Sequence, residues 1–288
     1  PSLRLKQVTS QDALELPMWV CSTMNRLDYH IYSELLQHIT PDTEHHVDAF
    51  YQSTIMPEWQ GKVLGINEHV ADSLLRQCEF STMDFSLGLA MPELMLPARS
   101  TPIVRRPSCR QFSERDIDYH LLTACLSQAL CADETGRREY SSAGGLYSVD
   151  IFVALQTERL DHAPEGMESG FYYLDNNRNT LTLTAPVSSD GIRKALMRQG
   201  SYFQPATFQV ITVINLAKAL FKYKERGFRN ALIEVGSIHH VLRECFIREG
   251  IESCESAEFY DPRLLDAMNL NKRMFKAGLV QHFGYNVC

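Results

Sequence analysis

The sequence predicts an α+β fold: a mostly antiparallel sheet flanked by helices, preceded by a mainly helical N-terminal region. Three observations carry that prediction. Residues 207–216 are nearly continuously apolar, as expected of a central strand covered on both faces. Residues 230–249 set Ala231, Val235, Ile238, Leu242, Cys245 and Phe246 at helical spacing, and Gly250 supplies a stop. Residues 170–175 and 180–184 are β-formers separated by a polar Asn-Asn-Arg-Asn turn, which reads as a hairpin.

The N-terminal 98 residues come first. Residues 27–39 place Ile31, Leu35, Leu36 and Ile39 on one helical face, and Pro41 ends that helix. Asp42 or Thr43 is positioned to cap a second helix running through Phe50 and Tyr51, and a third is expected near 67–77. His45 and His46 would point about 100° apart on a helix, which favours two surface residues over a metal pair. Packing explains Trp19 and Trp59 as well as any site does. Four prolines (92, 97, 102, 107) mark residues 91–107 as an extended linker, so the expected units are 1–98 and 99–288.

Beyond the linker, Arg105, Arg106, Ser108 and Arg110 precede a helix expected to open at residues 113–116. Its predicted inner face is Ile117, Leu121, Ala124 and Cys125, and it ends near Leu130. Arginines beside a helix start suit an oxyanion such as phosphate, and a solvated basic linker is the alternative. Ser142, Ala143, Gly144 and Gly145 form a small turn before a strand containing Val149, Ile151 and Val153. The glycines would let a ligand approach the backbone, although hairpins use Gly-Gly as well. A short helix is expected at 189–199, a helix capped by Asp261 with Pro262 at its first position, and a closing strand at 277–284. Between the central strand and the long helix, Lys218, Lys222, Lys224, Arg226 and Arg229 face one opposing charge, Glu225. Such a cluster at the rim of a core can hold an anion and present a base.

Composition sets the outer limits. With 288 residues, 44% hydrophobic and 22% charged, the chain can bury a sizeable core in one large or two modest domains. A net charge of −7 removes any global electrostatic case for nucleic acid. No apolar run reaches the roughly 18–20 residues that span a bilayer, and residues 1–6 lack a signal-like apolar core, so a cytoplasmic protein is expected. The eight cysteines (21, 78, 109, 125, 131, 245, 254, 288) contain no C-x-x-C spacing. They are expected to be reduced and mostly buried rather than a zinc site, and no metal is expected.

Three motifs stand in a fixed order: the Arg/Ser entry at 105–112, Ser-Ser-Ala-Gly-Gly-Leu-Tyr at 141–147, and Lys222-Tyr223 with Arg-Gly-Phe-Arg leading into a helix that carries Ile-Glu-Val-Gly. Together they resemble the flavin-dependent nitroreductase superfamily, in particular its azoline dehydrogenases, including the dehydrogenase subunit of azole-forming microcin synthetases. The resemblance covers about residues 100–284. It implies a nitroreductase-like α+β fold working as a homodimer with FMN at the subunit interface. By motif position, Arg105, Arg106, Ser108 and Arg110 would line the FMN phosphate and ring edge. Ser142 to Gly145 would pack on the flavin, and Arg226 and Arg229 would be further phosphate ligands. Lys222 and Tyr223 match the catalytic pair. Pro107 interrupts the usual Arg-Ser, Ser141 and Ser148 stand where prolines are common, and His240-Val241 replaces a frequent Gln-Asn.

The implied activity is FMN-dependent oxidation of peptide thiazolines or oxazolines to azoles, in the biosynthesis of a ribosomally made, modified peptide of the microcin (antibiotic) kind. A base takes the proton from the acidic Cα-derived ring carbon, and hydride passes to FMN and then to oxygen. Lys222 serves as base only if burial and neighbouring cations lower its pKa, and Tyr223 is the alternative. Implied partners are a second copy, cyclodehydratase subunits of a synthetase and the precursor peptide, with 1–98 as a docking region. An NAD(P)H-dependent reductase of small molecules and a non-catalytic scaffold subunit are the competing readings. His239 and His240 read as packing histidines rather than catalysts.

Overall fold

The computed structural model describes residues 26–55, positions 71, 73, 74, 78 and 94–97, and then 107–197 and 206–287. Seven helices are described: α1 (Arg26–Leu36), α2 (Pro41–Thr54), α3 (Tyr119–Leu130), α4 (Ser189–Leu196), α5 (Leu216–Tyr223), α6 (Glu225–Arg248) and α7 (Asp261–Ala267). The strands are β1 (Ile117–Asp118), β2 (Val149–Leu155), β3 (Leu160–Asp161), β4 (Gly170–Asp175), β5 (Thr180–Pro186), β6 (Phe208–Asn215), β7 (Glu252–Ser256) and β8 (Phe275–Gly284). Six of them form one sheet in the order β5-β4-β2-β6-β8-β7, antiparallel at every step, while β1 and β3 make a small parallel pair.

Both faces of the sheet are covered, which is why β6 is buried at all eight positions and β2 at all but Asp150. One face packs Val149, Ile151 and Val153 against Leu122 and Leu126 of α3 and Val235, Ile238 and Leu242 of α6, with Phe208 stacked on Phe283 at 4.8 Å. The other face packs Phe152, Phe171 and Val280 against Ile192 of α4 and Leu264 of α7. The predicted stripe of α6 is the stripe it buries, except that Cys245 is only partly covered. The predicted hairpin is β4–β5, with a register shift at Phe171/Tyr172.

Helices α1 and α2 lie on this core. Tyr32 packs with Ala217 and Met274, and its hydroxyl donates to Asn215 (3.1 Å). Val47 and Tyr51 join the α6 face of the core. The Tyr51 hydroxyl donates to Asp261 (2.6 Å) and accepts from the Ala277 N–H (2.9 Å). Lys276, only 2% exposed, donates to Asp48 of α2 at 2.6 Å. A buried ammonium without that carboxylate would be strongly destabilising, so α2 is tied to the sheet by more than apolar contact.

Local rules failed where tertiary bonds outbid them. Residues 113–116 do not open a helix, because Ser113 N–H bonds Tyr285 O (2.7 Å) and Arg159 takes the carbonyls of Ser113 and Arg115. Ile117 and Asp118 instead pair with β3, and Asp118 caps α3 by accepting from Leu121 N–H at 2.8 Å. Ala124, expected inside, is exposed, and Leu122 and Leu126 take its place. Ile31 is 54% exposed and Tyr32 faces inward. Thr40, not Asp42 or Thr43, caps α2. Tyr260 occupies the cap position of α7, because the Asp261 carboxylate is taken by Tyr51. Helix α4 stops at Leu196. Trp19, Trp59 and most of the third helix and the proline linker lie outside the described residues. The six described cysteines are free thiols, three of them buried and Cys78 exposed.

Candidate functional site

The site grows from the junction of α5 and α6. Asn215 caps α5 by accepting from Lys218 N–H (3.4 Å). The helix stops at Tyr223 because Lys224 adopts φ +50°, ψ −138°, a conformation an L-residue holds only when its surroundings impose it. What imposes it is close packing of the two helices. A Cβ on Gly227 would lie 1.8 Å from the Ala219 carbonyl oxygen, so only glycine fits the crossing. Lys222 and Tyr223 are thereby held at the tip of a rigid corner.

The cations at this corner lie on the helices, except Lys224, which forms the break between α5 and α6. Lys218 pairs with Asp150 at 3.1 Å. Lys222, Lys224, Arg226 and Arg229 are exposed, and Arg226 and Arg229 make no ion pair among the described residues. Glu225 turns away from them, accepting from Thr43 and contacting His46 (both 3.2 Å). Lys222 Nζ lies 5.2 Å from the centre of the Tyr223 ring, within cation–π range. In the single chain Lys222 does not have the burial that its use as a base would require.

The Gly-Gly turn meets this pair. Gly144 and Gly145 have φ of +66° and +65°, in the left-handed region that favours glycine. A Cβ on Gly144 would lie 2.5 Å from the Tyr223 hydroxyl oxygen and 3.2 Å from Lys222 Nζ, whereas one on Gly145 would meet nothing within 4 Å. The result is an exposed backbone platform with a phenol and an ammonium at its edge. A flat ring can lie against such a platform, with a proton donor or acceptor beside it.

Glu234, which sequence reasoning missed as a site residue, holds the platform. It is 2% exposed and accepts hydrogen bonds from Ser142 Oγ (2.6 Å), Ser148 Oγ (3.3 Å) and Val149 N–H (3.2 Å). Ser142 Oγ in turn accepts from Tyr147 N–H at 2.8 Å. Burial pushes the Glu234 carboxyl above its ordinary range, and these donors pull it back in part. The available signal was an acid among the inward positions 231, 234, 235 and 238 of α6. A carboxylate there needs donors, and the serines flanking the Gly-Gly turn supply them.

The remaining predicted residues lie elsewhere. Arg105 and Arg106 are outside the described residues. Ser108 and Arg110 flank Cys109, whose N–H bonds Ser253 O (3.1 Å) on the outer edge of the sheet, and both lie beside Cys254. Arg110 is thus on an extended segment and not at the start of a helix. The Gly-Gly turn adjoins the sheet end where Val149 pairs with Ile214, and Ser108 and Arg110 adjoin the end where Leu155 pairs with Phe208 and Phe283 with Ser253. Those ends are separated along β2 by about 20 Å at ~3.3 Å per residue. His239 is buried between Thr212 (3.0 Å) and Gln281 (2.8 Å), and His240 is exposed.

A family model for the Nitroreductase family matches residues 103–285. The chain belongs to the nitroreductase family. It is similar to the Microcin B17-processing protein McbC of Escherichia coli, at 27% identity over 184 residues, covering 62% of this chain and 67% of that protein. Among solved structures, its fold matches a chain of the E. coli Microcin synthetase McbBCD complex with truncated pro-MccB17 bound. The TM-score is 0.77 at 23% identity, over 89% of this chain and 97% of that one. The antiparallel sheet between two helical layers is therefore the family's fold, and the chain is of the oxidoreductase kind that the family comprises.

Proposed function

We propose that this protein oxidises azoline rings in a ribosomally made peptide to azoles, with FMN as electron acceptor. The observation that carries the reading is the convergence of Gly144 with the Tyr223 hydroxyl and Lys222 Nζ on one exposed spot. Family membership and likeness to a microcin-processing protein support it.

The residues present fit a flavin. The Gly144-Gly145 backbone leaves room for a planar ring system, and Arg226 and Arg229 lie exposed nearby with no carboxylate partner among the described residues. Ser142, Ala143, Gly144 and Gly145 would carry the ring, with Arg226 and Arg229, and Arg105, Arg106, Ser108 and Arg110, along the phosphate and ring edge. When bound, FMN supplies a two-electron acceptor that oxygen regenerates. Tyr223 and Lys222 remove or hold the proton of the Cα-derived ring carbon. Glu234 keeps the platform at the height where ring and phenol can meet.

One chain offers the two residue sets at opposite ends of its sheet, so a complete site needs a second copy. The outward face of α6 suits that role, since Leu232 and Ile233 are 42% and 63% exposed beside Gly236. Residues 1–98 would dock cyclodehydratase subunits of a synthetase, consistent with the exposure of Ile31 and Phe50. No described helix is long and apolar enough to cross a membrane, which suits work on a newly made peptide in the cytoplasm.

The test is incubation of the flavin-loaded protein with a peptide carrying a preformed thiazoline or oxazoline, under air. Loss of two hydrogens per ring by mass spectrometry, matched by oxygen uptake, is the expected result. Oxidation of NADPH with a nitroaromatic but inertness toward the ring peptide would overturn the reading in favour of a small-molecule reductase. A purified protein that binds no flavin would favour a scaffold.

A further inference from the structure

A polar cavity of about 260 Å³ lies next to the platform, between the turn that follows Gly145 and the first half of α5. Its walls include Arg138, Tyr147, Asp150, Tyr173, Asp175 and Lys218. Lys218 is one helical turn before Lys222, on the same side of α5, so the cavity continues the surface on which Lys222 and Tyr223 stand.

The acceptors in this cavity are already engaged. Asp150 takes Lys218 Nζ (3.1 Å) and Asn215 Nδ2 (3.0 Å). Asp175 takes the N–H groups of Asn177 (3.0 Å) and Arg178 (3.1 Å). The donors are not. Arg138 stacks on the Tyr147 ring, with its guanidinium carbon 3.9 Å from the ring centre, and donates to Tyr140 Oη (3.0 Å) and Asn177 Oδ1 (3.2 Å). It has no carboxylate partner among the described residues, and its buried Nε has no partner among them either. The Tyr173 hydroxyl makes no hydrogen bond among the described residues, and the nearby Asp150 carboxylate, with burial, pushes its pKa up from an already high ordinary value. A held guanidinium and a neutral phenol thus face a cavity whose carboxylates are spent.

Resting on the reading above, we propose that this cavity is a subsite for the peptide backbone flanking the azoline, with Arg138 and Tyr173 donating to its carbonyl oxygens. Two cations are balanced by two carboxylates there, so the cavity has no net charge to favour a phosphate. Amide carbonyls use the donors without requiring a counter-charge. Arg138 is pinned by Tyr140, Asn177 and Tyr147, so little side-chain freedom remains to be lost on binding. Tyr147 also connects the subsite to the platform, because its N–H is bonded to Ser142, which donates to Glu234. Arg138 and Tyr173 are specificity residues in this account, and the chemistry stays with Lys222 and Tyr223.

The experiment compares two substrates on the flavin-loaded protein: one azoline with short blocked ends, and the same ring inside a peptide of several residues on each side. Arg138→Met is expected to lower the peptide-over-short-ring ratio of kcat/KM by about tenfold to a hundredfold, mostly through KM, and Tyr173→Phe by several-fold. Flavin content should match wild type in both. An unchanged ratio in the soluble Tyr173→Phe and Arg138→Met proteins overturns the subsite. Loss of flavin from Arg138→Met also overturns it, because the oxyanion served is then the cofactor's phosphate. A wild type that oxidises both substrates equally well keeps the enzymatic reading and removes the subsite. A wild type that oxidises neither removes the reading and the subsite with it.

Discussion

The two ends of the central sheet are built differently. At the Val149 end, a turn, a helix corner and a buried carboxylate from distant parts of the chain converge, and every polar atom of the Glu234 carboxylate is engaged. At the Leu155 end, Ser108 and Arg110 lie on an extended segment laid along the edge strand β7. The first arrangement is rigid in the way chemistry requires. The second presents side chains from a sheet edge, which suits holding an anion. On the proposed function, one chain would carry a reaction half and an anchoring half at opposite ends of its sheet, and a second copy would bring them together.

The strongest way to break that comparison is at the reaction end. Lys222→Ala and Tyr223→Phe should each cut turnover by about 10²–10⁴ while flavin absorbance is retained, and losses within a few-fold for both would end the assignment. Next is the corner itself. Gly227→Ala forces a methyl into the Ala219 carbonyl and should cost about 3 kcal/mol, a fall in melting midpoint of roughly 6–12 °C. The anchoring end is tested by Arg110→Ala, which should weaken flavin binding by about tenfold or more yet spare the rate per bound flavin. Mixed dimers sharpen the point. In a Lys222→Ala/Arg110→Ala pair one of two shared sites is intact, so random mixing, at a flavin concentration too low to load the Arg110→Ala homodimers, should restore about a quarter of wild-type activity. No recovery would mean that each chain completes its own site.

The remaining effects concern pH, and they have opposite signs at the two ends. His282, near the Leu155 end, is buried and its pKa is pushed down to about 4. The unfolded chain binds that proton more readily, so stability is full above pH ~6.5 and is lost as pH falls toward about 4, by up to about 3 kcal/mol. His282→Asn should flatten that limb of a denaturation profile in part, since His239 is also held neutral by burial. Glu234 is raised by burial, so the folded chain holds its proton more tightly. Its contribution is greatest below the ordinary glutamate pKa and declines as pH rises from there through its folded value. Glu234→Gln should remove that decline and change neutral-pH stability by only about 1 kcal/mol.

Much of the fold was legible because its signals are local. The unbroken apolar run of β6 and the stripe of α6 each follow from spacing within one element, and both are buried as their patterns demand. Lys222, Tyr223 and the Gly-Gly turn were also legible as candidates, from residue type and order. The start of α3 was not, because Asp118 became a cap only once Ile117 and Asp118 had paired with β3. Asp261 looked like a cap by every local rule and lost its carboxylate to Tyr51, 210 residues away.

The sequence by itself determined the central strand, the hairpin, the long helix with the stripe it buries, and which residue types could carry the chemistry. Only the tertiary structure decided that Gly144 meets Tyr223 and Lys222, that Glu234 holds the platform from 92 residues beyond Ser142, and that Arg110 lies at the other end of the sheet. The physical reason is range. Hydrophobic period and turn chemistry act over a few residues, whereas a buried carboxylate or a glycine crossing is defined by whichever partner packing brings to it.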